Sequence, residues 1–350
     1  MRKEEYKVAR SYILYREERA KKRGKPEKKT IQLDKEVSIS VTKKNGETAP
    51  LDVARLSAII TDACEGLDDV DPKAVLEESI GNLYDGVSVA DMRSSLIMTA
   101  RTKVEKEPNY SFVTARILMD QIRNEALEFL GIAEDATYGD MQEYYPKALL
   151  SYIDKGIELD ILNPELKTFD LKKIGQAIDH TRDNQFTYLG LQTLYDRYFI
   201  HSDDTTYELP QVFFMRVAMG LAMQEENREE RAIEFYNLIS SFDYMSSTPT
   251  LFNSGTVRPQ LSSCYLSTVP DDLKGIFTAY QDMALLSKWA GGLGYDWTPV
   301  RSLGSYIKGT NGKSQGVVPF LKVANDTAVA VNQGGKRKGA MCSCLLYTSD

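Results

Sequence analysis

Residues 244–343 alternate between strand-like and helix-like patterns, and this alternation constrains the fold more than any other feature. A short apolar segment, 242–245, predicts a strand that runs into small hydroxyl residues, and a second strand is predicted around Cys264. A helix is expected over 273–290, a glycine-rich turn ends it, and another amphipathic helix runs over 319–331. Strands alternating with helices predict a parallel sheet, here the start of an α/β barrel.

The composition predicts a globular protein of two or three domains, because 350 residues exceed one ordinary domain. No apolar run is long enough to span a bilayer, and the charged residues 1–5 lack the core of a signal peptide. The net charge of −7 gives no support for a nucleic-acid surface. Four cysteines fit a reducing cytosol, and two histidines argue against a histidine-rich metal centre. We therefore expect a cytoplasmic protein that binds neither nucleic acid nor membrane.

Residues 37–131 predict a small module of one β-hairpin followed by four helices. The segment 37–41 alternates like a half-buried strand, and Asn45-Gly46 is a hairpin turn signal. Helix starts are predicted at Asp52, at Pro72, at Ser88 and near residue 109. Residues 1–30 before the module predict one helix and a basic, solvated linker.

Residues 140–243 predict an all-helical domain. Apolar residues recur at helical spacing over 145–159, 171–178 and 210–224, and the segment 211–222 is apolar enough to predict a buried helix. The overall fold class is therefore α+β and predominantly helical.

Several polar stretches in the last region suit ligand binding, although each also has a plain structural interpretation. Hydroxyls, glycines and Cys264 in 247–255 and 262–266 leave room for a ligand, but a loop between core strands would look alike. The glycines of 291–294 suit either close approach to a phosphate or a helix-to-strand turn. Arg301 and Lys308 suit an anionic ligand or a solvated loop.

Taken in order, these motifs resemble the large (α) subunit of class I aerobic ribonucleotide reductase. The resemblance covers roughly 37–343 and rests on STPTLFNSG at 247–255, QLSSC at 260–264, GGLG at 291–294 and QGGKR at 333–337. The module at 37–131 resembles an ATP-cone through VTKKNG at 41–46, YDGV at 84–87 and PNY at 108–110. The resemblance implies an ATP-cone, the all-helical reductase domain at 140–243, and at 244–343 the first part of a ten-stranded α/β barrel. Residues 6–15 also resemble the last helix of a preceding cone.

The resemblance implies reduction of ribonucleoside diphosphates to deoxyribonucleoside diphosphates by radical chemistry, under allosteric control by ATP and deoxynucleoside triphosphates. Cys264 would be one of two thiols that reduce the ribose and become a disulfide. The implied substrate contacts are Thr248, Ser263, Cys264 and Gly292. The implied effector specificity site consists of Asp271, Leu273, Arg301 and Lys308. The implied loop that relays effector occupancy to the substrate consists of Gln333, Gly334, Gly335, Lys336 and Arg337.

The cone would bind ATP or dATP through Lys43, Lys44 and Arg55, whose cations suit a triphosphate. Ala49 and Pro50 replace the usual charged pair. A second interpretation is therefore a cone that has kept its fold but lost its nucleotide ligand.

The resemblance also implies partners: a radical-generating small (β) subunit, a second α copy in a homodimer, and thioredoxin or glutaredoxin as reductant, with no metal in this subunit. The radical cysteine and the second reducing thiol would lie outside these residues. We therefore expect the chain alone neither to turn over nucleotides nor to fold its barrel part well. Residues 344–350 depart from the family pattern and are predicted to be non-native. The alternatives are a cobalamin-dependent (class II) or glycyl-radical reductase, or a non-catalytic nucleotide sensor that uses the cone.

Overall fold

A computed structural model describes residues 39–43, 46–288, 291–331 and 340–346. The described residues divide into two compact units, one within 1–117 and the other within 118–350. The division falls inside one helix, α4, which spans Tyr110–Phe129.

The first unit contains a small sheet and helices. Strands β1 (Ser40–Thr42) and β2 (Thr48–Pro50) form the predicted antiparallel hairpin, and β3 (Val87–Ser88) adds to β1 in parallel, giving the order β2-β1-β3. Helices α1 (Val53–Cys64), α2 (Pro72–Gly81) and α3 (Val89–Thr102) precede α4. These three helices start where they were predicted to start, and the side chains of Asp52, Asp71 and Ser88 cap them, because each accepts a backbone N–H from the first turn. The strand β3 was not predicted.

The first part of the second unit is helical, as predicted. Its helices are α5 (Met141–Glu158), α6 (Leu171–Gln176), α7 (Tyr188–Arg197), α8 (Pro210–Ala222), α9 (Arg228–Ser240) and α10 (Thr248–Asn253). A short hairpin of β4 (His201–Ser202) and β5 (Thr205–Thr206) precedes α8. Nearly every side chain of α8 is buried, so this helix forms the centre of the domain.

The second part of this unit contains two successive strand–helix–strand units. Strand β6 (Cys264–Thr268) is followed by α11 (Leu273–Lys288) and β7 (Gly292–Asp296), then by a hairpin of β8 (Leu303–Ile307) and β9 (Gly312–Gln315). Helix α12 (Val318–Val331) leads to β10 (Ala340–Cys344). The three strands are parallel in the order β10-β7-β6. Leu293 and Tyr295 of β7 are buried in one core with Met283 of α11 and Ala324 of α12. The predicted α/β start is confirmed.

Three local predictions are wrong. The glycine-rich turn predicted at 291–294 is mostly strand, since Gly292 and Gly294 lie in β7. Residues 242–245 form no strand: α9 ends there in a turn in which Tyr244 N donates to Leu238 O, and Phe242 adopts a positive φ of 65°. The apolar residues of 242–245 suggested a buried strand, but Phe242 packs its ring edge-on against Phe186 and stays 42% exposed. The region around Arg301 and Lys308, predicted as a polar loop, folds into the β8–β9 hairpin.

Candidate functional site

The thiol of Cys264 lies at the beginning of β6, beside a glycine on the next strand. Cys264 and Gly292 are register partners, and Gly292 N donates to Ser263 O at 2.7 Å. Because side chains alternate along a strand, the burial of Leu293 and Tyr295 places Cys264 and Gly292 on the opposite, open face. Cys264 is exposed there. A Cβ on Gly292 would lie 3.3 Å from Ser263 O and 3.7 Å from Cys264 Sγ, so the glycine keeps space open next to the thiol.

Helix α10 carries Thr248 and is braced against the segment that leads to this thiol. Thr250 Oγ1 donates to Leu261 O at 3.1 Å, and Asn253 Nδ2 donates to Gln260 O at 2.7 Å. Thr248 Oγ1 itself lies 3.3 Å from Tyr198 Oη. The structure therefore brings Ser263, Cys264 and Gly292 into direct contact. It links Thr248 to them through α10.

Asp271 and Arg301 form an ion pair beyond the carboxyl ends of β6 and β7. Arg301 Nε donates to both carboxylate oxygens, at 3.0 and 2.9 Å, and Arg301 N donates to Asp271 Oδ1 at 3.1 Å. These hydrogen bonds lower the pKa of Asp271 below its usual value and raise that of Arg301. The two predicted effector residues thus meet, 30 positions apart in the chain.

The other predicted effector and cone residues are more scattered. Leu273 begins α11 two residues after Asp271, with an exposed side chain. Lys308 is exposed in the turn between β8 and β9. Arg55 lies in the first turn of α1, and Lys43 closes the β1–β2 turn by accepting from Gly46 N. Residues that lie outside the described ranges are Lys44, Gln333, Gly334, Gly335, Lys336 and Arg337.

A buried ion pair between Glu208 and Arg216 was not predicted. Arg216 Nε donates to Glu208 Oε1 at 2.6 Å, and both side chains are buried. The available signal was one cation inside the otherwise apolar run 211–222. A charge at such a position requires a buried partner.

Within the part of the chain that the structure describes, no group of three or more His, Cys, Asp or Glu side chains is placed to hold a metal ion. None of the helices described has the length and apolarity needed to cross a membrane.

Comparisons with known families identify the class of these domains. An ATP cone domain model matches residues 39–125, a model of the ribonucleotide reductase all-alpha domain matches 184–259, and a model of the ribonucleotide reductase barrel domain matches 262–348. The three matches occur in the predicted order and confirm the three predicted domain types. The chain is thus built from ribonucleotide reductase domains.

Whole-chain comparisons narrow this class to one subunit. The chain is 49% identical over 346 residues to ribonucleoside-diphosphate reductase subunit alpha of Chlamydia muridarum, covering 97% of this chain and 32% of the relative. It is 40% identical to ribonucleoside-diphosphate reductase subunit alpha of Helicobacter pylori, a match that covers 88% of this chain and 38% of the relative. It is 35% identical to the ribonucleoside-diphosphate reductase large subunit of Danio rerio, a match that covers 87% of this chain and 38% of the relative. The chain belongs to the ribonucleoside-diphosphate reductase large-subunit family. It spans about a third of the length of these relatives.

Proposed function

We propose that the chain is part of a class I ribonucleotide reductase large subunit that reduces ribonucleoside diphosphates, and that residues 263–264 and Gly292 hold the substrate. The pairing of the Cys264 thiol with a glycine across two parallel strands carries the proposal, because it combines a reductant with space for a ligand. In this reaction Cys264 supplies one of two thiols; their oxidation to a disulfide provides the two electrons that reduce the ribose. Thioredoxin or glutaredoxin would restore the thiols, and a small subunit would supply the radical.

Two nucleotide effector sites complete the proposal. The specificity site comprises Asp271, Leu273, Arg301 and Lys308. The Asp271–Arg301 pair lies beyond the carboxyl ends of β6 and β7, whereas Cys264 and Gly292 lie at their amino ends. Four strand steps separate the two ends, a distance of about 13 Å. The relay residues 333–337 would couple the sites, and such couplings commonly amount to ~1–3 kcal/mol. The ATP-cone would bind ATP or dATP through Lys43, Lys44 and Arg55.

A homodimer and a cytoplasmic location also belong to the proposal. The exposed apolar side chains of Leu273, Phe277 and Leu285 recur along one side of α11, and such a stripe suits burial against a second copy of the chain. Free thiols at Cys64 and Cys264 suit a reducing compartment. The domain boundaries 37–131, 140–243 and 244–343 are proposed with it.

A pair of glycine variants tests the substrate site. Gly292→Ala places a methyl group 3.3 Å from Ser263 O, in the space next to the thiol. We expect titration calorimetry to show an affinity for guanosine diphosphate lowered by about tenfold or more, a loss of ~1.4 kcal/mol. Gly294→Ala is the matched control, because it lies on the same face of β7 and its methyl group meets only the flexible, exposed side chain of Leu266 within 3 Å. Equal affinities in the two variants would contradict the proposal.

A further inference from the structure

Glu208 is fully buried, and both oxygens of its side chain accept hydrogen bonds. Tyr152 Oη donates to Oε1 at 2.5 Å, and Ile200 N donates to Oε2 at 2.8 Å. Arg216 completes the set through Nε at 2.6 Å from Oε1. Burying two charges is costly, and this arrangement offsets the cost by satisfying the lone pairs of the carboxylate. Glu208 therefore fixes the plane of the Arg216 guanidinium.

The other edge of the same guanidinium holds the end of α10. Arg216 Nη1 donates to Ser254 O at 2.6 Å, and Nη2 donates to Leu251 O at 3.1 Å. These carbonyls end the helix that begins at Thr248, and the last carbonyls of a helix have no partner within the helix itself. Ser254 Oγ also donates to Val217 O at 2.8 Å. Helix α8 thus binds the end of α10 with an arginine, whose rigid planar fork can engage a carboxylate and carbonyls at once.

Two glycines bring the backbones into direct contact at this point. Gly255 has a φ of +77°, and a Cβ there would lie 2.9 Å from Arg216 Cγ. A Cβ on Gly220 of α8 would lie 2.1 Å from Gly255 N. With no side chain between the backbones, the position of α10 is set by α8.

We infer that Glu208 and Arg216 are a positioning pair that fixes α10, and through it Thr248 and residues 260–263, relative to Cys264. This inference rests on the proposed function, since it assigns the pair a role in substrate binding by that same site. The contacts that connect Arg216 with Ser263 form a continuous series. Arg216 holds the carbonyls of α10, and Thr250 and Asn253 of α10 hold residues 260–261, two positions before Ser263. The hydrogen bonds that the two charged side chains make outside the pair run to Tyr152, Ile200 and the end of α10.

Hydrogen exchange on the whole chain tests the anchor itself. We expect amide exchange at 251–255 to become about tenfold faster in Arg216→Met and in Arg216→Lys, because lysine keeps the charge but lacks the planar fork. Exchange in α11 should not change. Arg116→Met is the matched control, since Arg116 also holds carbonyls at a helix end, those of Ala63 and Glu65 after α1. It should leave exchange at 251–255 at the wild-type rate.

Nucleotide titration tests the consequence for substrate. We expect Arg216→Lys to lower the affinity for guanosine diphosphate about tenfold and to leave that for dTTP unchanged. Wild-type diphosphate affinity in Arg216→Lys would overturn the inference, because a merely structural charge would be rescued by lysine. An equal loss of dTTP affinity would also overturn it, because it would show that Arg216→Lys destabilises the whole chain. If the unaltered chain binds no diphosphate, the proposed function fails, while the exchange rates still decide whether Arg216 anchors α10.

Discussion

Replacing Gly220 by alanine tests the close contact between α8 and the end of α10. The added Cβ would lie 2.1 Å from Gly255 N and 2.3 Å from Ser254 Oγ. Ordinary contact begins near 3.4 Å, so the two backbones must separate by about 1.3 Å (3.4 minus 2.1). A shift of that size breaks the hydrogen bond between Ser254 and Val217 and stretches the one from Arg216 to Ser254.

The expected destabilisation follows from three contributions. Overpacking costs ~1–3 kcal/mol. The disturbed hydrogen bonds add ~1–2 kcal/mol. Alanine gains back ~1 kcal/mol of helix propensity relative to glycine. The free energy of unfolding should therefore fall by about 1–4 kcal/mol for Gly220→Ala.

Urea unfolding followed by far-ultraviolet circular dichroism measures this loss. With m values near ~3 kcal/mol/M, the midpoint should fall by roughly 0.3–1.3 M. Gly190→Ala is the control, because Gly190 is helical and its added Cβ would meet only Thr187 Oγ1, at 3.5 Å. That variant should be neutral or more stable by up to ~1 kcal/mol. If the two variants unfold at the same urea concentration, the packing account of α8 and α10 is refuted.

Two further predictions concern a buried carboxyl and the exposed side of α11. Burial raises the pKa of Asp183 to about 6 from 3.8, so its contribution to stability is complete below the unfolded value and is lost as the pH rises through 6. The difference in unfolding free energy between wild type and Asp183→Asn should accordingly fall by ~2 kcal/mol from about pH 4 to about pH 7. Urea unfolding across that range measures it, and a pH-independent difference would contradict the assignment. Phe277→Asp should shift the chain toward monomer in sedimentation velocity, whereas Leu189→Asp, an equally drastic change at an exposed leucine of α7, should not. Equal behaviour of these two variants would rule out the α11 stripe as the dimer surface.

Elements with local chemical signals were predictable from the sequence. Asp52 and Ser88 cap helices where they were predicted to do so, because capping needs only a side chain and the next few backbone amides. The apolar run of α8 likewise indicates burial without any knowledge of its neighbours. Helix α10 escaped prediction because its six residues include two Thr, one Pro and one Asn and have little helix preference. Its last carbonyls are held by Arg216 from α8, which is a tertiary interaction.

The candidate site was predictable only as a set of residues, and its geometry was not. Pairing of Cys264 with Gly292 depends on the register of β6 and β7, which motif order does not contain. Asp271 and Arg301 were both named from the resemblance, yet their mutual ion pair arises because parallel strands end at the same edge of a sheet. The Glu208–Arg216 pair is known only once β5, α8 and α10 are placed in space.

Protection of Cys264 by substrate tests the central claim most directly. Cys264 and Cys344 are both exposed and lie at opposite ends of the parallel sheet, so alkylation of the whole chain followed by mass spectrometry gives one reporting thiol and one internal control. With guanosine diphosphate at ten times its dissociation constant, the alkylation rate of Cys264 should fall about tenfold while that of Cys344 changes little, because only the unoccupied fraction reacts. Unchanged alkylation of Cys264 at that occupancy would contradict the assignment of the β6–β7 face as the substrate site.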